Sequence, residues 1–153
     1  MSGTAVTIGE YEYTLDAKHR LVVPPAFRDA LTAEGETRFY LAQGFDNCIW
    51  MLRPSQWHQM LLDFKENSKK IADANKVRAL KRAIFGRAID VTLDEQGRVL
   101  VPQNLVDHAD LKKDVVIIGT GDKAEIWDRR AWKKHSTEQV QPSMEELAKE
   151  INL

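Results

Sequence analysis

The chain contains two copies of one short motif, and this internal repeat constrains its fold more than any other feature. The segment Thr14–Pro24 recurs 78 residues later as Thr92–Pro102, with the Thr, Leu, Asp, Arg, final Val and Pro at matched positions. The other apolar positions stay apolar, and Asp29 and Asp107 extend the match beyond the proline. A repeat of this length indicates two copies of one supersecondary unit. The fold must therefore contain the same local structure twice.

The elements around the two copies follow the same order. In each half the sequence predicts two strands, a short helix after the proline, two further strands and a second helix. In the first half these elements are expected over Ile8–Leu15, Arg20–Val23, Ala26–Leu31, Phe39–Ala42, Cys48–Leu52 and Pro54 to about Phe64. In the second half they are expected over Ala88–Leu93, Arg98–Val101, Pro102 to about Ala109, Val115–Ile118, Ala124–Trp127 and from about Arg129. Residues 1–6 are expected to form a loose end.

Three expectations about pairing follow from these elements. The strands Ala88–Leu93 and Arg98–Val101 are expected to pair around the second copy's turn, and a turn over Gly119–Lys123 is expected to join the last two strands. Because neither half holds many core residues alone, the strands of the two halves are expected to interleave. We therefore predict an α+β protein whose two tandem halves are related by a pseudo-twofold axis.

Charge is unevenly distributed along the chain. The net charge is −1, but seven basic residues and one acid lie between Lys69 and Arg87, whereas Ser136–Leu153 carries four Glu and one Lys. Apolar residues in the basic stretch recur at spacings of three or four, which predicts an amphipathic helix over Lys69–Ile84. Its basic face is either a solvated surface of a connector or a surface for an anionic partner such as DNA.

Residue types argue against several classes of protein. No apolar stretch is long enough to span a bilayer, and the sequence shows no signal-peptide pattern. Because a single cysteine cannot form an intrachain disulfide, we expect a protein of the reducing cytoplasm. The sole cysteine, Cys48, lies in an apolar strand and is expected to be an inert core thiol. The four histidines lack metal-ligand spacing, and a Gly-rich phosphate loop is absent. We therefore predict no catalytic residue, no metal and no cofactor, and we expect the four tryptophans in core positions.

The repeated motif places an acid and a base four residues apart across a turn. In the first copy, Asp16 can accept hydrogen bonds from turn amides while Arg20 folds back onto it. This arrangement has two interpretations, which the residues alone leave open. It is either a local ion pair that stabilises the turn, or a device that orients an arginine toward a guanine edge or a phosphate.

The motifs resemble those of a known bacterial family. Gly9–Pro24 resembles the opening of the MraZ family, and Asp94–Pro102 resembles its second signature. Glu125–Asp128, followed by Trp132, is also similar to that family. The resemblance covers about residues 8 to 135.

The resemblance implies a fold and a function. Members of the family have tandem AbrB-like swapped-hairpin β-barrel halves with short helices, and they are nucleoid-associated transcriptional regulators of the cytoplasm. They assemble into homo-oligomeric rings and bind double-stranded DNA at repeated boxes upstream of the division and cell-wall gene cluster, which includes their own gene. The resemblance implies neither a membrane partner nor a small-molecule substrate.

The resemblance also assigns roles to the repeated turns. The Asp-x-x-x-Arg signature maps onto Asp16 and Arg20, and again onto Asp94 and Arg98. The expected DNA contacts are Lys18, Arg20 and Arg98. The two aspartates are expected to orient the turns. Accessory DNA contacts are expected from His19, Arg28 and Arg87, and His19 replaces the glycine that is common in the family's first turn.

These inferences divide the chain into four parts. We expect a first AbrB-like half over residues 8–64, a basic amphipathic helical connector over 65–87, a second AbrB-like half over 88–135 and an acidic C-terminal tail over 136–153. Two alternatives to a DNA-binding regulator remain. One is a structural ring protein whose turns only stabilise the barrel, and the other is an antitoxin-type regulator whose acidic tail captures a toxin.

Overall fold

A computed structural model describes residues 6–153, so the expected loose end lies outside the described residues except for its last member, Val6. The described chain has eight strands and six α-helices. The strands are β1 (Thr7–Thr14), β2 (Arg20–Val22), β3 (Arg38–Gln43), β4 (Ile49–Leu52), β5 (Ile89–Thr92), β6 (Arg98–Leu100), β7 (Asp114–Gly121) and β8 (Ala124–Asp128). The helices are α1 (Pro25–Ala33), α2 (Pro54–Ser68), α3 (Ala74–Ile84), α4 (Gln103–His108), α5 (Arg129–His135) and α6 (Gln141–Glu150). The predicted α+β class is confirmed.

Six strands form one antiparallel sheet in the order β1-β7-β8-β4-β3-β5. The halves meet where β4 pairs with β8, with Ile49 opposite Ile126. On one side β1 pairs with β7, and on the other β5 pairs with β3, so the first strand of each half occupies an edge. The sheet therefore has the same sequence of elements when read from either edge, as the predicted pseudo-twofold axis requires.

The remaining strands form a two-stranded ribbon that joins the halves. In this ribbon β2 pairs with β6, and Leu21 lies opposite Val99. The prediction that Ala88–Leu93 and Arg98–Val101 pair with each other is therefore wrong, because β5 pairs with β3 and β6 pairs with β2. The prediction that the strands of the halves interleave is confirmed. Both Leu21 and Val99 are almost fully buried, so pairing across the axis removes the apolar side of each short strand from water.

One hydrophobic core draws residues from both halves. It combines Leu21 and Val99 of the ribbon with Leu41, Ile117 and Ile126 of the sheet, and helices α1 and α4 cover it. A second cluster joins Trp50 and Trp127 of the sheet to Trp57 of α2 and to Ile84 at the end of α3. The fourth tryptophan, Trp132, packs partly buried against this cluster. The expected core positions of the tryptophans are thus confirmed, with Trp132 at the edge.

The helices between and after the halves differ from the sequence expectation. The helix predicted over Lys69–Ile84 begins only at Ala74, because the Asp73 carboxylate caps it by accepting hydrogen bonds from the amides of Asn75 and Lys76. Helix α2 instead continues to Ser68. At the C-terminus, α5 continues through a π-helical turn over Ser136–Val140 into α6, so the acidic tail is helical.

Candidate nucleic-acid interface

The first turn is held by a single carboxylate. One oxygen of Asp16 accepts hydrogen bonds from the backbone amides of Lys18 and Arg20, at 2.9 and 2.8 Å. The other oxygen accepts from Nε of Arg20 at 2.7 Å. The amide of His19 also donates to the carbonyl of Asp16 at 2.9 Å, and His19 has a φ of 61°. Asp16 therefore shapes the turn and fixes the first part of the Arg20 side chain.

The second turn repeats this geometry. Asp94 accepts from the amides of Gln96 and Arg98, both at 2.9 Å, and from Nε of Arg98 at 2.8 Å. Gly97 takes the place of His19, with a φ of 74° and an amide that donates to the Asp94 carbonyl at 3.0 Å. Left-handed backbone at this position is therefore a property of both turns, and a glycine adopts it without strain.

The pairing of β2 with β6, one strand from each half, brings the two turns together. The carbonyl of His19 accepts a hydrogen bond from the amide of Val101, and the carbonyl of Gly97 accepts one from the amide of Val23, each at 2.9 Å. Nη1 of Arg98 lies 4.0 Å from an oxygen of Asp16, across the axis. The two Asp–Arg pairs therefore form one surface, which we call the paired turns.

The two arginines of the paired turns differ in how many of their guanidinium nitrogens are free to bind a ligand. Arg20 uses Nε for Asp16, and within the described chain its two terminal nitrogens make no hydrogen bond. Arg98 also donates from Nη2 to the side-chain oxygen of Gln96, at 3.1 Å, and its side chain is 26% exposed against 35% for Arg20. Arg20 thus presents more of its planar donor fork to a ligand.

Both aspartates are held in the ionised form. The backbone amide of Arg20 lowers the pKa of Asp16, and its guanidinium lowers it further, although partial desolvation opposes them. The amide and guanidinium of Arg98 lower the pKa of Asp94 in the same way. Hydrogen bonds to the charged form stabilise that form. Each turn therefore keeps a negative carboxylate beside its arginine at neutral pH.

The other predicted contacts lie in different places. Lys18 is exposed at the tip of the first turn. Arg28 donates from Nε to the carbonyl of Val23 at 3.0 Å, and its guanidinium packs so closely on Gly97 that a β-carbon there would lie 2.5 Å from Nη1. Arg28 thus belongs to the surroundings of the second turn, and whether it also contacts DNA stays a prediction.

Arg87 lies apart from the paired turns. Its Nη1 donates to the side chain of Gln43 at 3.4 Å. Gln43 is the last residue of β3, and Arg38 is the first. Arg38 pairs with Thr92, which leads into the second turn. Five residues of strand separate these ends, a distance of roughly 16 Å. Arg87, the last residue of the basic stretch, therefore lies at the opposite end of β3 from the second turn.

A cluster of basic side chains, not predicted from the sequence, lies beside the first turn. A depression of about 570 Å³ lies between the first turn and Lys112 and Lys113, and an adjoining one of about 710 Å³ continues along α5. We call the six basic residues along these depressions the basic flank: Lys112, Lys113, Arg129, Arg130, Lys133 and Lys134. They come from two separate short runs, so only the folded chain brings them together. In the sequence these residues are visible only as three pairs of adjacent basic residues, and such pairs are common on protein surfaces.

Several other features bear on the kind of site. Among residues 6–153, no group of three or more His, Cys, Asp or Glu side chains is arranged to hold a metal ion. None of the helices in the described range is long and apolar enough to cross a membrane. Cys48 is buried, and burial raises the pKa of its thiol, as expected for an inert core residue.

Comparison with known proteins identifies the family. The family described as "MraZ protein, putative antitoxin-like" matches residues 6–80 and 84–152, one match for each half. A transcriptional regulator MraZ of Clostridium tetani (strain Massachusetts / E88) is 38% identical over 146 residues, which cover 92% of this chain and 97% of that protein. Proteins of the same name from Acetivibrio thermocellus and Heliobacterium modesticaldum are 41% and 40% identical, and they cover 84% and 94% of this chain and 85% and 95% of their own lengths. The two matched repeats extend through the acidic tail, and the chain belongs to the MraZ family, whose compared members are named transcriptional regulators.

Proposed function

We propose that the chain is a transcriptional regulator that binds double-stranded DNA through the paired turns. The observation that carries the proposal is the side-by-side placement of Arg20 and Arg98, each oriented by a carboxylate. An arginine fork pairs with the O6 and N7 acceptors of guanine in the major groove, or with a phosphate. Two such forks related by a pseudo-twofold axis fit one groove of a duplex. The name of the relatives supports the regulatory role.

The proposal extends to the target and the assembly. The targets are repeated boxes upstream of the division and cell-wall gene cluster, including the chain's own gene. A homo-oligomeric ring in the nucleoid places several paired turns on one scaffold. Because each protomer offers few contacts, repeated boxes met by several protomers gain affinity through effective concentration. Such binding depends on the spacing of the boxes and falls steeply with salt.

The test is a gel shift with DNA from upstream of the chain's own gene, at two salt concentrations. We expect the wild-type chain to shift this DNA more strongly than a scrambled duplex of the same length. Arg20→Ala should abolish the preference while leaving the mass of the assembly, measured by light scattering, unchanged. Arg20→Lys is the matched control, because it keeps the charge but loses the fork.

The structural alternative predicts a different outcome. If the turns only stabilise the fold, Arg20→Ala lowers the melting temperature or breaks the assembly without a selective loss of DNA binding. The antitoxin alternative takes support from the wording of the family description, and it predicts that a basic protein binds the acidic helix α6. A pull-down with a variant truncated after His135 addresses it directly.

A further inference from the structure

The basic flank adjoins the paired turns on one side only. The depression beside the first turn is lined by Asp16, Ala17 and His19 together with Lys112 and Lys113. The same two lysines line the next depression, which reaches Lys133 and Lys134 on α5. The amide of Leu15 donates to the carbonyl of Lys113 at 2.8 Å, and this hydrogen bond holds the residue before β7 against the first turn. The surface from the first turn to α5 is therefore continuous.

Among the described residues, four of the six basic side chains on this surface form no ion pair, although three acids lie among them. Three acids share the larger depression, and two of them are engaged: Asp110 pairs with Lys112 at 2.7 Å, and Asp128 accepts from the amides of Lys112 and Ala131. Arg129 pairs with Glu12 at 3.3 Å. Within the described residues, Lys113, Arg130, Lys133 and Lys134 have no carboxylate within 4 Å. All four are exposed.

The second turn lacks such a flank, although its backbone is the same. The amide of Leu93 donates to the carbonyl of Thr37 at 3.0 Å, as that of Leu15 does to Lys113. Thr37 and Glu36 therefore occupy the positions of Lys113 and Lys112. The helix after β4 begins with Pro54 and Ser55, where the helix after β8 begins with two arginines. The basic residues on this side are Arg38 and Arg53, and each is paired with a carboxylate, Asp90 and Glu34 respectively. The lysines and Arg130 of the basic flank thus have no basic counterpart beside the second turn, and the repeated fold does not need them.

We propose that the basic flank binds the backbone phosphates of the DNA strand that borders the groove entered by Arg20. This inference rests on the proposed function and adds a direction to it, because phosphate contacts lie beyond the first turn and not beyond the second. Phosphate contacts position a protein on a duplex without reading its sequence. The basic flank thus supplies affinity and orientation, while the arginines of the paired turns supply the sequence preference.

The experiment measures the salt dependence of binding for the full chain. Fluorescence anisotropy is recorded over a range of salt concentrations with two duplexes, the upstream DNA and a scrambled sequence. The test variant is Lys133→Gln/Lys134→Gln, on exposed positions away from the turns. The matched control is Lys69→Gln/Lys70→Gln, which removes the same charge from an adjacent, exposed pair before α3. Circular dichroism confirms that both variants fold.

The expected result distinguishes phosphate contacts, which change the salt dependence of binding, from base contacts, which change the ratio of the affinities for the two duplexes. The slope of log affinity against log salt is negative, and each lost phosphate contact lowers its magnitude by about 0.9, so that of the test variant should be smaller by about 1.8. This loss should be equal for both duplexes, so that their affinity ratio is unchanged. The control should retain the wild-type slope. Conversely, Glu36→Lys/Thr37→Lys should raise the magnitude of this slope by up to about 1.8, because it places lysines beside the second turn.

Three results would overturn the inference. If wild-type protein binds the upstream DNA but the test variant keeps its slope, the inference fails and the proposed function stands; the basic flank would then suit an acidic protein surface. If test and control lose affinity equally, only net charge matters. If the test variant loses slope with the upstream DNA alone and not with the scrambled duplex, the basic flank reads sequence and does not bind phosphates as proposed. Wild-type protein that binds neither duplex contradicts the proposed function itself.

Discussion

The two turns have the same backbone and different surroundings. In both, one aspartate accepts two amide hydrogen bonds and one from an arginine Nε, at distances that agree to within 0.1 Å. The first turn carries Lys18 at its tip and borders the basic flank. The second has Gln96 at its tip, which holds Arg98, and Arg28 packed on Gly97. The repeated residues thus determine the shape, and the residues that differ between the copies determine how each turn meets a ligand.

The comparison predicts unequal losses when each arginine is removed. Arg20→Ala should abolish the preference for the upstream DNA. Arg98→Ala should weaken binding about tenfold, which lies within the 1–3 kcal/mol of a bidentate base contact, because Gln96 already holds part of its fork. Equilibrium titration of each variant measures both effects. Equal losses would show that the surroundings of the turns do not matter for binding.

Exchanging the residue at the left-handed position should affect stability in only one turn. Gly97→His should destabilise the chain by about 2 kcal/mol, the sum of a left-handed non-glycine residue and the lost hydrogen bond of a displaced Arg28. His19→Gly should change stability by less than about 1 kcal/mol, since relief of strain is offset by a more flexible unfolded chain. The residue matched to Arg28 is Val106, which has no guanidinium to pack on the first turn. Urea unfolding of the two variants checks this, and similar values would contradict it.

The tip residues provide a smaller, reciprocal test. Lys18→Gln should lower the magnitude of the slope of log affinity against log salt by about 0.9, and Gln96→Lys should raise that magnitude by a similar amount. Neither should alter the ratio between upstream and scrambled DNA. A change in that ratio after Lys18→Gln would mean that Lys18 reads a base. The double exchange, Lys18→Gln/Gln96→Lys, should restore the wild-type slope if the turns face the same duplex.

The smallest expected effect is the pH dependence of stability. The pKa values of Asp16 and Asp94 are lowered in the folded chain from an ordinary value of 3.8. Their contribution to stability is therefore present above pH 3.8 and is lost as the pH falls through the folded values. Asp16→Asn and Asp94→Asn should each flatten the decline of stability between about pH 5 and 3 by the same amount. Urea unfolding across this range measures it, and flattening by one variant alone would show that the carboxylates are not equivalent.

Local structure was largely predictable from the sequence, because it depends on neighbouring residues. The turns, the short strands after them and the buried positions of Cys48 and Trp57 follow from spacing and residue type. Strand pairing was harder, since β5 and β6 are adjacent in the chain but pair with strands of the other half. The interleaving was foreseen from the shortage of core residues in each half, whereas the particular partners depend on long-range packing.

The candidate site also combines residues that could be predicted from the sequence with residues that could not. Asp16, Arg20, Asp94 and Arg98 could be identified because the motif occurs twice. The basic flank could not, because Lys113 and Lys133 are distant in sequence and only the packing of α5 beside β7 brings them together. The basic residues between Lys69 and Arg87 are easily recognised because they lie in one segment of the sequence. Arg87 nevertheless lies at the far end of β3 from the second turn.

The most direct measurement is the structure of the chain bound to a duplex from upstream of its own gene. We predict that the guanidinium groups of Arg20 and Arg98 enter one groove of the DNA. We also predict that Lys113 and the lysines of α5 lie against the phosphates on the side of the first turn. A complex in which the DNA lies along the basic face of α3, with both turns in solvent, would contradict it.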